Sequence, residues 1–205
     1  MRILRKHKLV FDKWVFYLIF LGNVYLVNNG YSQSYYFKNY TIEDGLAQDQ
    51  ILCIFQDSKG YIWLGTNGGG VSKFDGKNFQ NLNETNGLVN NIVRNISEDR
   101  FGNIWLGTQN GISRYDGFNF ENVTSKHGIF KGEITTQCID DDNCIWIGSQ
   151  YSKVIYKSSL SEDGSGIIKF EIIDIGLTQN TTINKIIKDN KKLLYYIKIV
   201  MNFKL

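Results

Sequence analysis

Few residues of this chain have the types and spacing that chemistry needs. Two histidines occur, and His7 sits in a basic N-terminal stretch, which leaves His127 alone in the body of the chain. A His-based metal cluster needs several such ligands, so no metal is expected. No Ser-His-Asp arrangement declares itself, and the Gly-x-Ser-x-Gly elbow is missing. Gly68-Gly69-Gly70 lacks the Gly-Lys-Ser/Thr that completes a phosphate loop and reads as a turn. Asp140-Asp141-Asp142 could hold a cation, but adjacent acids in a turn more often face water. Trp63, Trp105 and Trp146 could stack on sugar rings, yet their repetition inside strand-like runs favours core packing. The expectation is no catalytic residue, no metal and no cofactor.

Composition narrows the partners. The chain has 205 residues, 42% of them hydrophobic and 21% charged, with no proline. That is a globular composition. The net charge of +3 divides unevenly. Residues 1–34 hold five Lys/Arg and one acid, and residues 185–205 hold six Lys and one acid. The stretch between them is acidic, so the basic face of a nucleic-acid binder is missing. Three cysteines, Cys53, Cys138 and Cys144, make no complete disulfide framework and read as small apolar strand residues.

Residues 1–34 read as a signal peptide or N-terminal anchor. A basic stretch to Lys13 precedes the apolar run Trp14–Leu21, and small residues follow at Gly30, Ser32 and Ser34. This is the order of an export signal, with cleavage expected after Ser32 or Ser34. Gly22 and Asn23 interrupt the run, which is short of the roughly 20 apolar residues of a membrane span. Either reading puts the remainder outside the cytoplasm, in the periplasm, with membrane contact only through an uncleaved leader.

Internal repetition organises everything else. Asp57-Ser-Lys-Gly60-Tyr-Ile-Trp63-Leu-Gly65-Thr66 recurs as Asp99-Arg-Phe-Gly102-Asn-Ile-Trp105-Leu-Gly107-Thr108. A third, degraded copy reads Asp140-Asp-Asp-Asn143-Cys-Ile-Trp146-Ile-Gly148-Ser149. The tryptophans are 42 and 41 residues apart, and Phe37, Phe79 and Phe120 keep the same step. So do Gly45-Leu46, Gly87-Leu88 and Gly128-Ile129. Each unit divides into four short runs, in the first case 51–55, 61–66, 71–74 and 79–82, with turn residues between. Four antiparallel strands per repeat of about 40 residues is a β-propeller blade. Trp and Ile would pack between blades, and Gly65, Gly107 and Gly148 would let adjacent backbones approach. Asp75-Gly76 and Asp116-Gly117 would turn as tight hairpins with both central residues at positive φ. Asn143 takes the place of Gly60 and Gly102, since Asn tolerates the left-handed region.

The fold expected is all-β: an incomplete ring of three blades and part of a fourth. Blades lie near 35–78, 79–119 and 120–169, a partial one spans 170–190, and 191–205 is an off-pattern tail. Phe37–Tyr40 matches a fourth strand, an insertion falls at about 157–167, Phe170–Ile173 supplies a fourth strand, and Ile183–Ile187 begins a fourth unit.

At Asp57–Gly76 and Asp99–Gly117 the chain resembles the two-component regulator propeller repeat family. The resemblance covers roughly residues 35–190. It implies the N-terminal periplasmic sensor part of a hybrid two-component histidine kinase, apparently truncated. It also implies an oligosaccharide ligand, and downstream propeller and kinase modules as missing partners. Two alternatives remain open. One is a propeller lyase or glycoside hydrolase fragment: Ser97–Trp105 is similar to a sialidase Asp box, with one residue too many between Asp and Gly. The other is an adhesive, protein-binding propeller.

Alternating strands put the linking loops (43–50, 84–91, 125–133) at the same end as the turns between second and third strands (67–70, 109–111, 149–153). Loops on a rigid scaffold are the usual seat of recognition. The candidate ligand-binding residues there are Gln48, Asp49, Asn90, Gln109, Asn110, His127, Lys131 and Gln150.

Overall fold

The computed structural model describes residues 36–124, 133–150, 152, 154–160, 167–176, 181–189 and 192–199. The leader, His127, Lys131, Ser125–Gly132 and the centre of the 157–167 insertion lie outside the described residues. Tyr36–Asn39, the only described part of a first unit (Met1–Asn39), has no strand and is exposed. The match of Phe37–Tyr40 to a fourth strand is therefore corrected: these residues pair with no strand among the described residues. The second unit runs from Tyr40 onward and holds all the described strands.

Among the described residues three four-stranded antiparallel sheets and one hairpin account for nearly all regular structure. The first sheet holds β1 (Ile51–Gln56), β2 (Ile62–Thr66), β3 (Val71–Phe74) and β4 (Phe79–Leu82) in sequence order. The second repeats it with β5 (Val93–Glu98), β6 (Ile104–Thr108), β7 (Gly111–Tyr115) and β8 (Phe120–Val123). The third has β9 (Ile134–Ile139), β10 (Cys144–Ser149), β11 (Val154–Leu160) and β12 (Ile167–Asp174). β13 (Thr181–Asp189) and β14 (Lys192–Ile199) form the hairpin, so the off-pattern 191–205 stretch contributes a strand. Each sheet is contiguous in sequence from first to fourth strand. A division after residue 78 or 119 cuts between the third and fourth. The insertion lengthens the β11–β12 hairpin, whose ladder runs to Leu160 opposite Ile167.

Neighbouring sheets meet along their first strands: β1 beside β5, β5 beside β9, β9 beside β13. The contact needs a device in each first strand. The ladder skips one residue between Ile51 and Cys53, between Val93 and Asn95, and between Ile134 and Thr136. Opposite each irregularity stands the glycine of the Trp-Leu-Gly or Trp-Ile-Gly run: Gly65, Gly107 and Gly148. Such bulges bend and twist a strand. They bring the next sheet so close that a side chain on the glycine has no room. A Cβ on Gly65 would lie 2.7 Å from the Val93 carbonyl oxygen and 2.4 Å from Cys53 Sγ. On Gly107 it would lie 2.9 Å from Gln137 Oε1, and on Gly148 2.8 Å from Ile183 Cγ2.

The apolar surface goes between sheets. Trp63 packs with Val71 and Leu82 of its own sheet and with Val93, Ile104, Leu106 and Tyr115 of the next. Trp105 packs in the same way against Ile134, Ile145, Ile147 and Tyr156. Trp146 lies against Ile155, Ile183 and Ile186. Among the described residues the leading side of the first sheet has no such cover, and Ile54 is 69% exposed while its counterpart Ile96 packs into the core.

The Asp-Gly turns differ from the expected two-residue form. Phe74 pairs with Phe79 across a four-residue loop, and only Gly76 has positive φ, at 97°. Asp75 keeps an ordinary backbone because its carboxylate accepts from the Lys77 and Asn78 amides. Asn143, by contrast, is left-handed as expected, at φ 58°.

Two glycine substitutions separate space from backbone strain. Gly65→Ala meets a backbone carbonyl that cannot rotate away and should cost about 2–3 kcal/mol. Gly60→Ala has open space and only its φ of 88° against it, and should cost about 1–2 kcal/mol. Urea unfolding of the two variants checks the order.

Candidate functional site

The sheets expose polar residues at two ends, and the two are built differently. At the turn end, each Asp of the repeat works inward. Asp57 Oδ1 accepts from the Lys59 and Tyr61 amides at 3.0 and 2.8 Å, and Oδ2 accepts from Trp63 Nε1 at 2.8 Å. Asp99 does the same for Phe101, Asn103 and Trp105, with the indole at 2.9 Å. Asp140 binds the Cys144 amide and Trp146 Nε1 at 2.7 Å. These carboxylates hold turns and indoles in place. Asp140 is thereby engaged, and among the described residues no group of three His, Cys, Asp or Glu could hold a metal. The turns also tie sheet to sheet: Ser58 donates its amide and hydroxyl to Glu98, and the Arg100 amide donates to Asn143 Oδ1 at 3.2 Å.

The outer turns carry Asp75 and Asp116. Backbone amides of Asn78 and Lys77, and of Asn119 and Phe118, hold these carboxyls below their ordinary range. Their support of the turns is present at neutral pH and is lost only as pH falls through those depressed values.

The other end is the expected loop face. A Ser–Asn pair anchors each linking loop to its sheet. Ser72 Oγ accepts from the Ala47 amide at 3.0 Å and donates to Asn81 Oδ1 at 2.7 Å, and Asn81 Nδ2 donates to the Gly45 carbonyl at 2.9 Å. Ser113 and Asn122 repeat this for Val89 and Gly87. The third sheet places Tyr156 and Ile172 at the corresponding register.

The loops then close on one another. The Asn67 amide donates to the Gln50 carbonyl, and its side chain to Gln50 Oε1 at 2.8 Å. Gly68 and Gly70 amides both donate to the Asn91 carbonyl. Residues 47–50, 67–70 and 90–92 are thus one cluster. Gln48 is half-buried and accepts from the Gln50 amide; Asp49 is exposed. Asn90 accepts from the Ile92 amide and donates to Glu84 Oε1 at 3.4 Å, so its side chain builds the loop. Gln109 and Asn110 are exposed, and the Gln109 amide donates to the Ile92 carbonyl. Gln150 is half-buried on the third sheet, its amide donating to the Glu133 carbonyl. Sequence reasoning missed Asn67, Glu84 and Asn91. Asn67 stands in phase with Gln109 and Gln150, so the repeat itself carried that signal. The resulting surface offers amides and carboxylates around Asp49 and Glu84 and suits a polar, hydrogen-bonding ligand.

The units have a known counterpart. The family model for the Two component regulator propeller matches residues 45–68 and 87–110, each running from a linking loop through two strands to the next turn. Two segments of the chain match this propeller repeat. Over 66 residues it is 35% identical to Histidine kinase P4 of Formosa agariphila, a stretch covering 32% of this chain and 5% of that protein. The extracellular domain of the hybrid two component system BT3049 from B. thetaiotaomicron has the same fold. It matches with TM-score 0.65 and 21% identity, covering 80% of this chain and 23% of that one. The chain therefore spans a small part of either relative's length. The third propeller repeat, where Asn143 and Ile147 replace Gly and Leu, lies outside the matched residues.

Within these repeats the buried Asp–indole bond should dominate local stability. Asp99→Ala leaves a buried indole N–H and two amides without their acceptor, and should cost about 2–4 kcal/mol in urea unfolding. Trp105→Phe, which removes the donor as well, should strip further cost from the Asp99→Ala background to less than its cost alone.

Burial pushes the Cys53 thiol up to about 12. The thiolate is the reactive form, so alkylation of Cys53 near pH 8 should be at least about a hundredfold slower in the folded chain than in urea. Mapping labelled cysteines by mass spectrometry checks this.

Proposed function

We propose that the chain is the exported N-terminal part of a two-component sensor, whose propeller recognises an oligosaccharide at the loop face and passes the signal to a kinase elsewhere in the same system. The observation that carries this reading is the pair of regulator-propeller matches at 45–68 and 87–110. The likeness to a histidine kinase and to an extracellular domain of a hybrid two component system supports it. The order of basic stretch, apolar run and small residues in 1–34 supports export to the periplasm. Among the described residues no helix is long and apolar enough to cross a membrane.

Recognition falls to Asp49, Gln109, Asn110 and Gln150, whose side chains the loop cluster does not consume in the bonds described above, with His127 and Lys131 in the adjoining linker. The role is binding and not turnover, because the repeated aspartates spend their carboxylates on indoles and turn amides. The two tests are independent. Residues 1–34 fused to alkaline phosphatase should give periplasmic activity, and cytoplasmic retention would contradict export. The chain should bind members of an oligosaccharide array, and Gln109→Ala with Asn110→Ala should weaken that binding at least about tenfold. Binding of proteins alone would favour an adhesive propeller, and turnover of a bound glycan would favour an enzyme.

A further inference from the structure

One register position breaks the pattern of the sheets. On the side of each sheet that carries the tryptophan, the third strand sets a cation beside it: Lys73, Arg114 and Lys157. The fourth strand then supplies the cation's neighbour. Arg114 meets Glu121 at 3.1 Å, and Lys157 lies opposite Glu171. Lys73 lies opposite Gln80, which is neutral.

A second difference accompanies the first. Four residues after the turn aspartate the second sheet has Asn103, which folds back onto Asp99. The first sheet has Tyr61, whose ring lies under Lys73 Nζ at 3.9 Å, with the Trp63 ring at 5.3 Å. The ammonium is held on aromatic faces and has no carboxylate across the strand.

These changes open a hollow of about 200 Å³ lined by Tyr61, Lys73, Asp75, Asn78, Phe79 and Gln80. It is smaller than the roughly 300–1,000 Å³ of drug-sized sites and suits a single ring. Its walls combine two aromatic rings, two amides and one charge of each sign. Asp75 Oδ1 is taken by turn amides, so the remaining oxygen accepts from a ligand donor. Lys73, on β3, and Asp75, in the turn just past its end, give the hollow ends of opposite polarity.

We propose that this hollow is a second binding site, distinct from the loop face, for a small polyhydroxylated carboxylate: a hexuronate, with its carboxylate on Lys73 Nζ, its hydroxyls on Asp75, Asn78 and Gln80, and its apolar ring face on Tyr61 or Phe79. A charge-assisted bond supplies affinity, and the aromatic faces exclude water from one side of the sugar. The site lies at the turn end, so it and the loop face succeed or fail separately.

Titration of the full chain with glucuronate or galacturonate, followed by ligand-observed NMR, tests it. The uronates should bind, and glucose and galactose should bind at least about tenfold more weakly. Lys73→Gln should lose the uronate by a similar factor. Gln80→Glu, a surface change that gives Lys73 the carboxylate that Glu121 gives Arg114, should lose it too. Equal binding of neutral sugars, preference for a zwitterionic amino acid, retention by either variant, or no uronate binding up to about 10 mM would overturn the proposal.

Discussion

The structure depends on an aspartate carboxylate, buried in the first two repeats and half-buried in the third, that accepts a hydrogen bond from an indole six residues later. In Asp57–Trp63, Asp99–Trp105 and Asp140–Trp146 this one bond joins a turn, a strand and the contact between sheets. The aspartate uses its other oxygen to close the turn. The indole, once its N–H is satisfied, can enter an apolar interface without leaving a polar group unpaired. An indole buries on the order of 200 Å², roughly 5 kcal/mol at about 25 cal/mol per Å². That exceeds the 1–3 kcal/mol of the bond itself. Burial supplies the stability, and the carboxylate fixes where the burial happens.

The interface has a second requirement, and it is one of shape. Sheets packed at this distance leave no room for a Cβ opposite the bulge in the first strand. Gly65, Gly107 and Gly148 are the positions where that constraint falls. Indole, bulge and glycine act together in three successive contacts, so a change at one is felt by two sheets. On the leading side of the first sheet, Ile54 stands exposed where its counterpart Ile96 is packed into the core. An exposed apolar strand of this kind is an association hazard.

Much of this was legible in the sequence because the constraint is periodic. The spacing of Trp63, Trp105 and Trp146 gave the repeat, and Asp, Gly and Asn143 gave its turns. The strands of the first sheet fall within a residue of the runs expected. What escaped was contextual. Phe37–Tyr40 matches a fourth strand by residue type, but pairing partners, not composition, make a strand. The Asp-Gly turns take four residues because a side-chain carboxylate, invisible to a dipeptide rule, satisfies two amides. β14 was missed because a hairpin partner needs no motif of its own. At the loop face, residue type marked which side chains are polar. It did not reveal that Asn90 spends its amide on Glu84 and Ile92, since that depends on how the loop folds back on itself.

The repeated indoles are locked between sheets by their aspartates. Hydrogen exchange at the indole Nε1 positions, resolved by nitrogen-edited NMR, tests it most directly. Trp63 and Trp105 should exchange only through cooperative opening, at least about a thousandfold slower than a free indole. Exchange of these protons at the free rate, in a chain that is otherwise folded, would contradict it.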